Sequence, residues 1–281
     1  MKVPYYPGCT LKTKAKNFEE SALEAARLLG IELQELPTWH CCGTFSSLAT
    51  DDLIHYVAPL RNLIQAREMG GERLLTLCSV CYNALKRANR FLKRDELTHR
   101  TLNTFIEASE PYDGEVQVVH LLEVLREVGW DLLREQVKRP LEGLKGATYY
   151  GCMLLRPPEV GLDDAERPSV MEEMMGALGA ESVITPYRNE CCGAFHTVER
   201  EEMVRERAEL IASSASSRGA DVLVVSCPLC AYNLDWGQDQ LPVLYFTQLL
   251  ALALGAEGDL GWGMHRIDPR PLLEEKGLLG R

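Results

Sequence analysis

Residues 74–85 read LLTLCSVCYNAL, and residues 222–234 read VLVVSCPLCAYNL. Each begins as a short apolar run that leads into C-x-x-C. A run of this length reads as a buried strand. The residues after the first, NALKRANRFLKR (83–94), have a helical pattern. The chain therefore writes strand, C-x-x-C, helix, and writes it twice.

Working outward, the other cysteines fall into place around these two stretches. The chain holds Cys9, Cys41, Cys42, Cys78 and Cys81, then Cys152, Cys191, Cys192, Cys227 and Cys230. Each set is one lone cysteine, an adjacent pair followed by glycine, and a C-x-x-C. The gaps are 31 and 35 residues in the first set and 38 and 34 in the second. The flanks agree as well: YYPGC (5–9) matches YYGC (149–152), and WHCCGTF (39–45) matches NECCGAF (189–195). Self-similarity on this scale is the mark of a duplicated unit. The longer gap is accounted for by RPPEVGLDDAERPS (156–169), whose proline, glycine and acids read as an inserted loop.

A coarse pass gives the unit. KVPYY is a strand, NFEESALEAARLLG (17–30) a helix stopped by glycine, IELQEL (31–36) a strand, residues 51–70 a helix, RLLTLC a strand, and VQVV (116–119) a further strand. The second half repeats the order with ATYY, SVMEEMMGALG, ESVITPY, EEMVRERAELIASSASSRG, DVLVVSC and PVLYF. Alternating strands and helices predict an α/β fold of two pseudo-repeated Rossmann-like domains, each with a parallel sheet. The expected division is 1–139, 140–256, and an irregular or partner-docking tail at 257–281. Every cysteine motif follows a predicted strand. Ligands of open parallel sheets gather at the strands' carboxyl ends, so the cysteines should converge there.

The 281 residues suit two domains of about 130 each. Net charge is −11, which argues against nucleic acid as a partner. LPVLYFTQLLALALGA (241–256) is short for a bilayer span and reads as a strand running into a helix, so no direct membrane span is expected. The N-terminus lacks a signal-peptide pattern, and a cytoplasmic location is expected. Ten cysteines in such a chain point to metal or redox chemistry rather than a disulfide framework.

Thiolates suit zinc and iron–sulfur centres. Zinc closes with four ligands, as does an ordinary 4Fe-4S cubane, so five cysteines per half is one too many for either. Adjacent side chains on extended backbone point apart, so Cys41 and Cys42 do not easily serve one small ion. A turn at Gly43 and at Gly193 would bring both into reach of a larger group.

The doubled motif, with its opening YYPGCTLKTKAKNFEESALEAARLLGIEL, resembles the cysteine-rich CCG-domain family, and within it the B subunits of heterodisulfide reductase. The resemblance covers roughly residues 1–256. It implies two noncubane 4Fe-4S clusters, one held by Cys9, Cys41, Cys42, Cys78 and Cys81, the other by Cys152, Cys191, Cys192, Cys227 and Cys230. It implies that a small disulfide substrate is cleaved between them. Cleavage takes two electrons, one from each cluster. The chain has no GxGxxG fingerprint and no ferredoxin-type cysteine run. A partner must therefore deliver electrons, and the resemblance implies two: the small iron–sulfur C subunit and the flavin-containing A subunit of a heterodisulfide-reductase-like complex. The alternative function is an electron-transfer or anchoring CCG subunit of a succinate, lactate or glycolate oxidation-type complex. A redox sensor or zinc-structural protein is a third reading.

Other residues carry weaker signals. His40 and His196 flank the cysteine pairs and are candidate proton donors to a leaving thiolate, with simple packing as the alternative. Lys12, Lys14 and Lys16 follow Cys9, and Arg156 follows Cys152; they are either anion-attracting or merely solvated. Tyr82, Asn83, Tyr232 and Asn233 sit beside the C-x-x-C motifs, where asparagine caps a helix or bonds sulfur. His120 follows a strand and starts a helix, and reads as a helix cap or a packing residue rather than a ligand. The methionines of VMEEMMGALG read as core.

Overall fold

The computed structural model describes residues 1–43, 53–108 and 110–280. The first half is built of β1 (Lys2–Tyr6), α1 (Lys16–Leu28), β2 (Glu32–Glu35), α2 (Ile54–Glu68), β3 (Arg73–Thr76), α3 (Ser79–Leu92), α4 (Glu96–Ile106), β4 (Gln117–His120), α5 (Leu121–Val128) and α6 (Trp130–Gln136). The second is built of β5 (Lys145–Tyr149), α7 (Val170–Ala177), β6 (Glu181–Ser182), α8 (Glu201–Ser216), β7 (Val222–Val225), α9 (Pro228–Trp236), β8 (Val243–Tyr245) and α10 (Phe246–Ala253). A short helix, α11 (Arg270–Glu275), follows.

Two four-stranded sheets result, ordered β2-β1-β3-β4 and β6-β5-β7-β8, and every pairing is parallel. The expected α/β fold with a pseudo-repeat is thus present. In this strand order the winding reverses between β1 and β3, and between β5 and β7. That crevice, beyond the strands' carboxyl ends, is where open α/β sheets bind ligands. Cys9 follows β1 and Cys78 follows β3; Cys152 follows β5 and Cys227 follows β7. Both C-x-x-C motifs therefore border a switch point.

Three features differ from the sequence reading. The helix expected over 83–94 begins at Ser79, with Cys78 as its N-cap, so Cys81 lies in its first turn. The strand expected over ESVITPY is only Glu181–Ser182; it is an edge strand, Ile184 beyond it is 60% exposed, and Pro186 cannot donate to a ladder. The first half also carries α4, without a counterpart in the second half. Its start is fixed by Asp95, whose side chain accepts from Thr98 N. Of the helix expected over 51–70, residues 51 and 52 lie outside the described residues, as do Thr44 and Phe45 of WHCCGTF.

The halves interlock. α1 of the first packs on α10 of the second, with Ser21 Oγ and Thr247 Oγ1 2.7 Å apart. Phe18 stacks on Tyr245 at 4.2 Å between centroids. Reciprocally, α7 of the second half packs on α5 and α6 of the first, and Trp130 Nε1 donates to Glu173 at 2.8 Å. Each half thus uses its first helix to cover the other's last, and the apolar core runs through both. The methionines 171, 174 and 175 are fully buried there.

Residues 257–280 fold back onto this body. Trp262, Leu273 and Leu278 are buried, and Lys276 pairs with Asp221 at 2.9 Å. Among the described residues no helix is long and apolar enough to cross a membrane.

Candidate metal centre

Each half brings its cysteines together from three loops. In the first, Cys41 and Cys9 sulfurs are 3.9 Å apart, and Cys81 donates to Cys42 at 3.5 Å. Cys81 also lies close enough to Cys78 for the two to shift each other's titration. Cys41 is exposed and Cys42 buried. The adjacent cysteines therefore do point apart, one to the lone cysteine and one to the C-x-x-C, and Gly43 (φ +65°) turns the chain away after them. In the second half the thiol contacts run unbroken from Cys152 to Cys191, Cys192, Cys230 and Cys227. Gly193 (φ +83°) makes the matching turn.

The two sets meet. Cys78 and Cys227, the first cysteines of the two C-x-x-C motifs, lie close enough across the halves for each to shift the other's titration. Beside them Ser79 Oγ donates to Ser226 O at 2.9 Å and lies 3.0 Å from Ser226 Oγ. The ten thiols thus lie along one seam, with its centre at the junction and with Cys9, Cys41 and Cys191 exposed toward its ends.

Repeated devices hold each set. Tyr6 OH donates to His40 O at 2.8 Å, and Tyr149 OH to Glu190 O at 2.7 Å. Both acceptors immediately precede the paired cysteines. Gly8 (φ +76°) and Gly151 (φ +66°) precede the lone cysteines, and a Cβ on them would meet Cys81 Sγ at 2.9 Å and Cys230 Sγ at 3.0 Å. Only glycine lets these loops pass so close to sulfur. The repeat YYPGC and YYGC carries both signals, yet the letters alone do not say what the tyrosine and glycine do. Other supports differ between halves: Asn62 clamps His40, accepting from its N–H at 2.8 Å and donating to its O at 2.9 Å, whereas Arg207 Nε donates to Cys191 O at 3.2 Å.

Electrostatics divide the thiols. Cys191 is held far below the usual thiol range because Cys152 and Cys192 donate to it, joined by the backbone N–H groups of Gly193 and Ala194. Cys227 is lowered by the Cys230 and Cys78 thiols. Their donors move the other way: Cys192 is pushed up to about 12, chiefly by Cys191. Tyr6 is pushed up by burial and by four cysteines, which keeps its hydroxyl a donor.

The remaining candidates are placed as follows. His40 and His196 are both exposed; His40 is held through its backbone, and His196 sits on a single helical turn, Ala194–His196. Asn233 Nδ2 donates to Cys192 O at 3.1 Å and lies 3.7 Å from its sulfur. Asn83 instead donates across the halves to Met153 O and Arg156 O. Lys86 Nζ donates to Tyr82 OH at 2.6 Å, and Tyr232 is half exposed. Lys12 is neutralised by Glu19 and Glu35, while Lys14 and Lys16 are exposed. Arg156 pairs with Glu166. His120 is the N-cap of α5: Nδ1 accepts from Leu122 N, leaving Nε2 to donate to Leu77 O at 2.6 Å.

The donor set fits a multi-iron centre better than a single ion. Among the described residues no group of three or more His, Cys, Asp or Glu is arranged around one ion position. Five soft thiols in each half suit iron and sulfide.

The sequence matches the CCG cysteine-rich domain over residues 3–86 and again over 147–235. It is 35% identical over 282 residues to the 8-methylmenaquinol:fumarate reductase membrane anchor subunit of Wolinella succinogenes, covering 95% of this chain and 98% of that one. It is 32% identical to the B subunit of the Ferredoxin/F(420)H(2)-dependent CoB-CoM heterodisulfide reductase of Methanosarcina acetivorans, covering 92% and 91%. A hypothetical protein from Helicobacter pylori shares the fold, with a TM-score of 0.76 at 16% identity over 94% of this chain and 51% of that one.

Proposed function

This chain belongs to the CCG cysteine-rich domain family, with both motifs complete and relatives among heterodisulfide reductase B subunits, and from that premise we propose that it is the disulfide-reducing subunit of a heterodisulfide-reductase-like complex. The observation that carries the reading is the junction at Cys78 and Cys227, where two five-thiol sets face each other. In this reading each set holds one noncubane 4Fe-4S cluster, and a small disulfide is reduced between them. The balance is one S–S bond broken, two electrons and two protons taken up, and two thiols released. The clusters, when bound, supply the electrons one apiece.

The chain's own residues do the rest. Ser79 and Ser226 hold the halves in register, and Tyr6 and Tyr149 fix the loops that carry the cysteine pairs. Cys42, Cys78, Cys81, Cys192, Cys227 and Cys230 are buried, which keeps bulk water from the centre of the seam. Protons enter at its exposed rim, where His40 and His196 are the proposed carriers. Electrons come from the iron–sulfur C subunit, backed by the flavin-containing A subunit, in the cytoplasm.

A second reading has its own support. The relative at 35% identity is named as a membrane anchor subunit of a fumarate reductase. On that reading the chain passes electrons within a complex and has no sulfur substrate.

One preparation separates the two. Protein purified without oxygen should carry ~8 iron and ~8 sulfide per chain with little zinc, as two 4Fe-4S-type centres require. Given reduced viologen, it should reduce a small disulfide, and Cys41→Ala should lose about half the iron and nearly all turnover. Full iron without disulfide turnover favours the electron-transfer reading; two zinc ions and no iron would sink both.

A further inference from the structure

Duplication predicts two equivalent C-x-x-C helices, yet their sequences diverge just past the motif. α3 reads SVCYNALKRANRFL and is followed by Lys93 and Arg94, whereas α9 reads PLCAYNLDW and holds no lysine or arginine. Lys86, Arg87, Arg90, Lys93 and Arg94 stand at i, i+1, i+4, i+7 and i+8, the spacing of one helix face, with the last two just past the helix end. The chain as a whole carries a net charge of −11, so this face runs against its balance.

The fold does not use up these cations. Lys86 has Tyr82 OH and, at 3.9 Å, Glu123. Arg87, Arg90, Lys93 and Arg94 have no ion-pair partner among the described residues, and Arg90, Lys93 and Arg94 are exposed. Cations in the last turn of a helix complement its dipole, but that effect fades within the turn and does not reach Lys86 or Arg87.

The face lies in a groove. Two concavities of about 300 and 600 Å³ open between α3 and the loop after Cys152, and both are lined by Arg90, Lys93, Glu159 and Val160. Glu159 is exposed and pairs with none of the cations. Phe91 and Pro157 add apolar surface to the larger one. One wall starts at the thiols: Cys78 caps α3, and Arg87 and Arg90 stand roughly 9 and 13 Å along the axis from Cys81. The other wall follows Cys152, and Asn83 ties the two walls together by donating to Met153 O and Arg156 O at 2.8 and 2.7 Å. The groove therefore adjoins both thiol sets.

We propose that this groove is where electrons enter, as the docking face for the acidic surface of a protein that carries one electron at a time on an iron–sulfur centre. Unpaired cations spread over more than two helical turns match an extended acidic surface better than one small anion, and a concave groove admits a convex protein edge better than a flat bilayer. Such charges steer encounter and fix orientation. Per encounter one electron passes: the carrier is oxidised, the centre in this chain is reduced, and no bond is made or broken. This rests on the reading that the thiol sets hold iron–sulfur centres fed by a partner. The neutral α9 means that the second half has no matching face.

The test uses iron-loaded chain purified without oxygen and follows the bleaching of its absorbance by stopped flow, so it reads electron entry and not disulfide turnover. The two donors are a reduced, acidic plant-type ferredoxin and the methyl viologen radical cation. Arg90→Glu with Lys93→Glu should slow reduction by the ferredoxin at least ~10-fold at low ionic strength and leave reduction by viologen no slower. Arg90→Gln with Lys93→Gln should cost a smaller factor, about 3-fold, since it removes charge without reversing it. Both losses should fade in ~0.5 M salt, where exposed charges are screened. Arg200→Glu with Arg205→Glu, at exposed positions of the second half, changes the net charge equally and should cost less than ~2-fold. Equal losses in the two charge-reversed pairs, or none in either, overturn the docking face even if disulfide turnover is normal. Weaker binding of phosphatidylserine vesicles with unchanged ferredoxin kinetics reassigns the face to a membrane surface and overturns it too. Steering as expected without turnover of any disulfide keeps the face and removes the reductase reading. Absence of bleaching by viologen removes the iron–sulfur reading, and the docking face with it.

Discussion

Tyr6 and Tyr149 make the same hydrogen bond in the two halves, each to the carbonyl of the residue just before a cysteine pair, at 2.8 and 2.7 Å. They are separated by 143 positions in the sequence (149 − 6). Both are buried, and each ties the strand bearing the lone cysteine to the loop bearing the pair. Tyr6→Phe or Tyr149→Phe should each cost about 1 kcal/mol, the loss of one part-buried hydrogen bond. Urea unfolding of the single and double variants checks this, and the two losses should add.

Gly8 and Gly151 give a prediction about cluster loading. Alanine at either position strains a positive φ and drives a Cβ against a cysteine sulfur, Cys81 or Cys230. Gly8→Ala should lower iron per chain by about half, and so should Gly151→Ala, with the fold retained by circular dichroism. Full loading in both would show that the close approach has no bearing on the centre.

Glu172 binds a tight group: it accepts from Thr148 Oγ1, from Tyr150 OH and, at 2.6 Å, from Arg188 Nη1. Arg188 and Glu172 side chains are each 13% exposed, and Arg188 O accepts from Tyr150 N and Gly151 N next to Cys152. Glu172→Gln should therefore destabilise by about 2–4 kcal/mol, because a nearly buried guanidinium loses its counter-charge. Denaturant midpoints measure it; a change below about 0.5 kcal/mol would mean that water replaces the carboxylate.

Two histidines, the buried His120 and the half-buried His265, set a pH dependence. Burial pushes His120 and His265 down to about 4 from 6.5. Both stay neutral in the fold at pH values where the unfolded chain already binds protons. Stability is therefore full above about pH 6.5 and falls as pH drops toward 4, by up to ~3 kcal/mol per histidine. Melting temperatures between pH 7 and 4.5 should show the decline. His120→Asn, which keeps an acceptor for Leu122 N, should remove about half of it, leaving the part due to His265.

Much of this molecule is legible from its letters. The apolar runs at 74–77 and 222–225 are strands because they are short, apolar and bounded by C-x-x-C, and the glycines after the cysteine pairs turn because φ is positive there. The helix expected over 83–94 starts four residues earlier than its periodicity shows, since a C-x-x-C has no helical pattern, although Cys78 caps the helix. α4 and α6 escape a reading that leans on the repeat, because they interrupt it.

The sequence by itself determined two cysteine sets, their order along parallel strands, and their convergence within each half, because each of these follows from local pattern and strand polarity. Only the tertiary structure decided that the sets meet at Cys78 and Cys227, that Ser79 bonds Ser226, and that the loop after Cys152 is tied to α3 through Asn83. Those relationships depend on α1 packing on α10 and α7 on α5. Such packing is set by the shape and burial of surfaces that lie far apart in the chain, 226 residues in the case of Ser21 and Thr247, and no local period encodes it.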